Sequence, residues 1–311
     1  MTEPLLPKSV PESARRRWLS IPAGMHPKAM LFLFHGTHEH CGRYQDFALN
    51  CTSRGIHVYA CDFHGHGERE GVRGDFGGLD DAIAESIDLV VSERAHAPDP
   101  SIPFIILGHS LGSMVAYLTA HKLATTESLP SPNLCVLSGF AIDSVSPPFG
   151  IQALVPVLRA TPVIVHKVVR VLSKLQPHGP ACPLPPASEL THDTEEVVRC
   201  LGDRLHHHGW ICNRTGLALM DGRARCNDLL PQWGRDYPFL FVHGGADALC
   251  PVSGPLKVMA ASPQTDKELK VFPGLFHEVF FETPDARAMV QGYILDWIET
   301  RLAGPRARSR L

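Results

Sequence analysis

Six short apolar segments, rich in β-branched and aromatic residues, recur along this chain of 311 residues. Within each segment the apolar residues are continuous rather than alternating, which is typical of strands buried on both faces of a parallel sheet. The segments are Ala29–Phe34, Ile56–Cys61, Phe104–Leu107, Leu134–Leu137, Phe239–Val242 and Leu269–Phe272. Helical patterns separate several of them, so the sequence predicts an α/β fold, a mostly parallel sheet flanked by helices.

Three segments between or after these strands carry apolar residues at helical spacing. They are Leu79–Ala95, Ser110–Leu123 and Asp285–Leu302. The last is preceded by Thr283, a predicted N-cap, and by Pro284, which suits the first helical position.

The alternation stops between residues 143 and 236. A crossover between parallel strands needs only a dozen or so residues, and this stretch has roughly 90. We therefore predict one domain, with a core formed by residues 1–142 and 237–311 and an inserted helical cap, or lid, at 143–236. Within the cap, Phe149–Leu172 is apolar with sparse cations. It is interpreted either as a buried helix or as a surface that contacts membranes and admits an acyl chain.

The overall composition excludes several classes of protein. A net charge of −3 argues against a dedicated nucleic-acid binder, which needs a basic face. The first residues lack the apolar run of a secretory signal, and no apolar run is long enough to span a membrane. The nine cysteines are odd in number and form no CxxC pair, which favours reduced thiols in a cytoplasmic protein that is not secreted.

Residues 108–112 read Gly-His-Ser-Leu-Gly, the G-x-S-x-G pattern of a nucleophile elbow. A predicted strand precedes the motif and a helical pattern follows it, so Ser110 would lie exposed on a tight strand-to-helix turn. The helix N-terminus there favours negative charge that forms at the reacting oxygen. The alternative is a serine that only caps the helix.

A serine nucleophile needs a base and an acid that orients the base. Asp247 follows one late strand and His277 follows the next, in the chain order expected for such a fold. Asp143 is the alternative acid. Two backbone amides must also stabilise the developing oxyanion. We expect them from Leu111, next to the nucleophile, and from Thr37, in the loop after the first predicted strand.

The loop at residues 35–44 reads His-Gly-Thr-His-Glu-His-Cys-Gly-Arg-Tyr and resembles the signature of the monoacylglycerol lipase family. Residues 62–68, the elbow and residues 245–250 resemble further motifs of that family, in the same order. The resemblance implies an α/β-hydrolase that cleaves monoacylglycerols to fatty acid and glycerol and requires no cofactor. It also implies a triad of Ser110, Asp247 and His277, with Thr37 and Leu111 as oxyanion donors.

The resemblance makes Glu39 and Arg43 candidates for binding the polar glycerol end, with a pair that only braces the loop as the alternative. Cys250 falls where such lipases have a thiol near the site, although we favour a buried inert thiol. Phe280 departs from the family, which can carry a second histidine there. Lysophospholipase, general carboxylesterase and, more remotely, non-catalytic lipid-binding protein are the competing functions.

Two further motifs carry weaker hypotheses. The chain ends in Ser309-Arg310-Leu311, which resembles a peroxisomal address and offers a peroxisome-like organelle as an alternative to the cytoplasm. His206, His207 and His208 are adjacent, but neighbouring histidines on one segment do not converge on one ion. We predict no metal site there.

Overall fold

A computed structural model describes residues 10–19, 26–143 and 162–304. Seven strands form one sheet: β1 (Arg15–Trp18), β2 (Ala29–Phe34), β3 (Ile56–Cys61), β4 (Phe104–His109), β5 (Leu134–Ser138), β8 (Phe239–Gly244) and β9 (Lys267–Phe272). Their order in the sheet is β1-β3-β2-β4-β5-β8-β9. All neighbouring pairs are parallel except β1 with β3. The predicted mostly parallel sheet is confirmed, and its six predicted strands all form.

The described helices are α1 (Gln45–Ser53), α2 (Leu79–Ala95), α3 (Leu111–Thr125), α4 (Pro162–Leu175), α5 (Thr194–Gly202), α6 (Asn213–Asp228), α7 (Ser253–Ala261) and α8 (Pro284–Leu302). Of these, α1, α2, α3, α7 and α8 pack on the two faces of the sheet. In β2, Phe32 and Phe34 pack in one core cluster with α2 and α3, while Leu31 and Leu33 pack in another with α1 and α8. Burial on both faces explains why the strands read as continuous apolar runs.

Strand β1 has no apolar signal, because it reads Arg-Arg-Arg-Trp. It pairs with β3, and two of its arginines also bind one carboxylate: Arg15 and Arg17 both contact Glu93, at 3.0 and 2.6 Å. The predicted N-cap Thr283 does occupy that position, with Pro284 after it, but its side chain makes no capping hydrogen bond.

Between β5 and β8 the described chain contains α4, α5, α6 and a short antiparallel pair, β6 (Pro180–Cys182) and β7 (Ile211–Cys212). Helix α6 packs on α3, where Gly222 leaves room for Met114. The bounds 143 and 236 stay a prediction, and residues 149–161 of the predicted apolar stretch lie outside the described residues. Of the helices described, none combines the length and apolarity needed to cross a bilayer.

Candidate active site

Ser110 occupies the turn between β4 and α3 in a strained backbone conformation. Its φ of 53° and ψ of −120° are rare for a residue with a side chain. The Ser110 N–H donates to the carbonyl of Ser138 at 2.9 Å, which holds the turn against β5. A Cβ on Gly108 would overlap the Gly112 backbone, and one on Gly112 would overlap that of Phe34. The turn therefore requires both glycines of the motif.

Asp247 and His277 lie in direct contact in the turns after β8 and β9. His277 Nδ1 is 2.7 Å from Asp247 Oδ2. The other carboxylate oxygen, Asp247 Oδ1, accepts hydrogen bonds from the N–H groups of Leu249 and Cys250, at 2.9 and 2.8 Å. The turn thus orients the carboxylate, and the carboxylate orients the imidazole. His277 Nε2 is buried and has no hydrogen-bond partner among the described residues.

The electrostatics of this pair favour a charged imidazole. Burial lowers the pKa of His277, but the Asp247 carboxylate, together with Glu278 and Glu39, outweighs it and the net direction is upward. Burial likewise works to raise the pKa of Asp247, yet the charge and hydrogen bond of His277 bring it below its usual value. A carboxylate that stays ionised beside the ring stabilises the imidazolium that a general base becomes.

The loops that carry Ser110 and His277 meet at the carboxyl edge of the sheet. The ring of His109 lies 4.9 Å from that of His277, measured between centroids. A Cβ on Gly139, after β5, would lie 2.7 Å from His277 Cε1. A Cβ on Gly36, after β2, would lie 3.2 Å from Ser110 Cβ. Five strand ends therefore converge on one place, where open α/β sheets bind their ligands.

One predicted oxyanion donor, Leu111, directly follows Ser110 in the chain, and the other, Thr37, follows the loop residue that lies beside Ser110 in space. Leu111 is the first residue of α3, so its N–H is among those that have no partner within the helix. Thr37 is half-buried and directly follows Gly36, the residue beside Ser110. Their roles as donors stay a prediction.

Glu39 is bound on both carboxylate oxygens by the protein itself. Its Oε1 accepts from the Gly36 N–H and from the Tyr44 hydroxyl at 2.7 Å, and its Oε2 accepts from Arg43 at 2.6 Å. These contacts favour the interpretation in which the Glu39–Arg43 pair braces the loop. A role in binding glycerol stays a prediction.

Arg43 has two further partners that the sequence did not indicate. Glu278, which directly follows His277, binds both terminal nitrogens of Arg43, at 2.8 and 3.2 Å. Glu196 of α5 binds Nη2 at 3.0 Å. The sequence could have indicated Glu278 as a residue near the site, because it directly follows the predicted base, His277. No sequence feature distinguishes Glu196 from its exposed neighbour Glu195.

The other candidates have separate surroundings. Asp143, the alternative acid, pairs with Lys257 and accepts from Ser253. Cys250 is buried, which raises the pKa of its thiol and makes it unreactive. Phe280 is buried, with its ring centroid 5.1 Å from that of Phe47. Within the described ranges, no group of three or more potential ligand side chains is arranged to hold a metal ion.

The family described as Serine aminopeptidase, S33, of the Hydrolase_4 type, matches residues 25–284 of this chain. The chain belongs to this hydrolase family. The resemblance to monoacylglycerol lipases is confirmed as well. The monoacylglycerol lipase of Mycolicibacterium smegmatis is 31% identical over 282 residues, which cover 89% of this chain and 90% of the relative. The monoglyceride lipase of Rattus norvegicus is 29% identical over 91% of this chain and 86% of its own length.

Solved structures confirm that the fold is that of an α/β-hydrolase. One is a soluble variant of monoglyceride lipase from Saccharomyces cerevisiae in complex with a substrate analog. It superposes with a TM-score of 0.76 at 18% identity, and the match covers 92% of this chain and 91% of the yeast chain. The monoacylglycerol lipase of Paleococcus ferrophilus gives 0.73 at 23% identity, over 92% of this chain and 98% of its own. At this identity the likeness concerns the fold alone.

Proposed function

We propose that this member of the hydrolase family cleaves monoacylglycerols to free fatty acid and glycerol, with Ser110, His277 and Asp247 as its catalytic triad. The observation that carries the proposal is the 2.7 Å contact between Asp247 and His277, at the sheet edge where Ser110 occupies its strained turn. The relatives named as monoacylglycerol and monoglyceride lipases support the choice of substrate.

The arrangement suits acyl transfer to a serine. His277 Nε2 takes the proton of the Ser110 hydroxyl as its oxygen attacks the ester carbonyl. The N–H groups of Leu111 and Thr37 stabilise the negative charge on the carbonyl oxygen. His277 then protonates the departing glycerol oxygen, and an acyl-enzyme remains. A water molecule, deprotonated by His277, attacks this ester and releases the fatty acid, while Asp247 stabilises each imidazolium.

A fluorophosphonate probe tests the nucleophile. We expect the wild type to be labelled and Ser110→Ala to be unlabelled and inactive, and Asp247→Asn to lose on the order of 10⁴-fold in kcat. Turnover of monoacylglycerols, lysophospholipids and p-nitrophenyl esters then identifies the preferred substrate. A wild type that is neither labelled nor active on any ester would falsify the proposal. A clear preference for lysophospholipids or short-chain esters would replace the monoacylglycerol assignment.

We further propose that helix α4 contacts the surface of membranes. Its outward face presents five apolar residues in one stripe, each 38–75% exposed: Ile164, Val168, Val171, Leu172 and Leu175. Three cations lie along the same helix and are exposed: Lys167, Arg170 and Lys174. An amphipathic helix with an apolar face and basic residues binds anionic lipid surfaces.

The double variant Ile164→Asp/Val168→Asp tests this contact, with Leu49→Asp as the control. Leu49 and Val168 are both 51% exposed, but Leu49 lies on α1, which is outside the predicted cap. We expect the double variant to lose flotation with vesicles that contain anionic lipid and activity on emulsified substrate, while it keeps activity on a soluble ester. Unchanged flotation of the double variant contradicts the proposal.

For the tripeptide Ser309-Arg310-Leu311, which lies outside the described residues, we propose a role as a peroxisomal import signal. Deleting it from a tagged protein is expected to move the protein from a punctate to a cytosolic distribution. The same distribution before and after the deletion contradicts this role.

A further inference from the structure

We infer that Arg43 is a positioning residue that couples cap helix α5 to the catalytic machinery, by holding the loops of Thr37 and His277 in a fixed relative position. The inference rests on the proposed function and extends it to residues that touch neither the substrate nor the reacting atoms.

The three carboxylates around Arg43 come from three different parts of the fold. Glu39 belongs to the loop after β2, Glu278 to the loop after β9 and Glu196 to α5. One guanidinium binds all three at 2.6–3.2 Å. Its planar shape allows this, because a single rigid group presents several donors in fixed directions. The ring of Phe281 lies under the guanidinium at 3.8 Å and further fixes its plane.

Each of the two core carboxylates is joined to a part of the catalytic site. Glu39 accepts from the N–H of Gly36, which precedes Thr37, the proposed oxyanion donor. Glu278 directly follows His277, and its own N–H donates to the carbonyl of Leu190, at 2.9 Å, in the segment before α5. A shift of the guanidinium therefore displaces both the oxyanion loop and the loop of the base.

The burial and the charge of this cluster make Arg43 hard to replace. The side chain of Arg43 is 5% exposed, and those of Glu39 and Glu196 are 3% and 4% exposed. Among the described residues, Glu39 and Glu278 have no other ion-pair partner, whereas Glu196 also binds the exposed Arg199. Two buried carboxylates thus depend on one cation, and the cap supplies the third contact that orients it.

The cap contact can be removed without removing the cation. Glu196→Gln keeps the shape of the side chain and deletes one charge of an acidic cluster, so the fold should persist. Glu195→Gln is the matched control, because it deletes the same charge from the same helical turn at an exposed position. Both variants are compared with the wild type in kcat and KM on p-nitrophenyl butyrate, in the rate of fluorophosphonate labelling and in melting temperature.

We expect Glu196→Gln to lower kcat and the labelling rate on the order of 10-fold, with KM within about twofold, since small misplacements of reacting groups slow the chemical step. Glu195→Gln should match the wild type. Arg43→Lys keeps the charge but not the planar set of donors, and we expect a larger loss, on the order of 100-fold.

A double-mutant cycle decides whether Glu196 acts through Arg43. If it does, Glu196→Gln has little further effect in the Arg43→Lys background. The same tenfold loss in both backgrounds, or a Glu196→Gln variant that behaves like Glu195→Gln, overturns the inference. A wild type that the probe does not label at Ser110 overturns the proposed function instead, and the inference with it.

Discussion

The segment around α5 and the helix α4 both belong to the predicted cap, but they contact the rest of the molecule in different ways. The α5 segment, residues 189–208, is joined to the catalytic loops by buried hydrogen bonds. Thr191 Oγ1 donates to the Phe281 carbonyl at 2.7 Å, and the N–H of His207 donates to the His38 carbonyl at 2.8 Å. The buried Glu282 accepts from the N–H groups of both His192 and Phe276, the residue before His277.

Among the described residues, the charged pairs between helix α4 and α6 are half-exposed or exposed. His166 and Arg170 share Asp221, at 2.6 and 3.5 Å. Pairs of this kind contribute little to stability, whereas the buried bonds of the α5 segment fix positions closely. We therefore infer that the α5 segment positions the catalytic loops, whereas helix α4 presents an apolar surface.

The largest expected difference between the two regions concerns the same substitution at two arginines. Arg43→Met leaves three carboxylates around a buried site without their shared cation, and we expect a loss of about 4 kcal/mol in the free energy of unfolding. Arg170→Met on α4 removes a partly exposed pair and should cost at most about 0.5 kcal/mol. Urea unfolding at neutral pH measures both. Equal losses would contradict the contrast between the α5 segment and α4.

A smaller effect is expected from acid, through a histidine beside the α5 segment. Burial, together with the neighbouring imidazoles of His66 and His207, lowers the pKa of His38 to about 2. Below pH about 6.5 the unfolded chain therefore binds a proton that the folded chain does not, and stability falls as the pH falls. His38 contributes about 1.4 kcal/mol per pH unit to this loss.

The variant His38→Asn tests this contribution. His38 has a positive φ of 67°, which asparagine tolerates well. Between about pH 6 and 4, we expect the slope of the unfolding free energy against pH to decrease by the contribution of one proton, about 1.4 kcal/mol per pH unit. An unchanged slope would mean that His38 takes up a proton in the folded state.

The smallest effect is expected on the outward face of α4. Val171 is 54% exposed, so Val171→Asp removes little buried area and should change the unfolding free energy by no more than about 0.5 kcal/mol. Thermal unfolding in dilute buffer provides the measurement. A large loss would show that this face is covered in the folded protein, which is at odds with a surface that contacts lipid.

The strands and the elbow could be predicted from sequence because local rules dictate them. Continuous apolar runs are what burial on both faces of a sheet requires, and only glycine fits two residues before and two residues after Ser110. Strand β1 could not be predicted, because its arginines are held by Glu93, which lies 76 residues beyond Arg17. Helix α1 was missed as well, because its nine residues are too few for a clear apolar period.

The sequence by itself determined six of the seven strands of the large sheet, the helices α2, α3 and α8, and the positions of Ser110, Asp247 and His277 at strand ends. It did so because the period of apolar residues and the backbone freedom of glycine are properties of neighbouring residues. Only the tertiary structure decided that Glu278 and Glu196, 235 and 153 residues away from Arg43 along the chain, share its guanidinium. A buried charge is stable only beside its partner, and no local pattern encodes which distant side chain that partner will be.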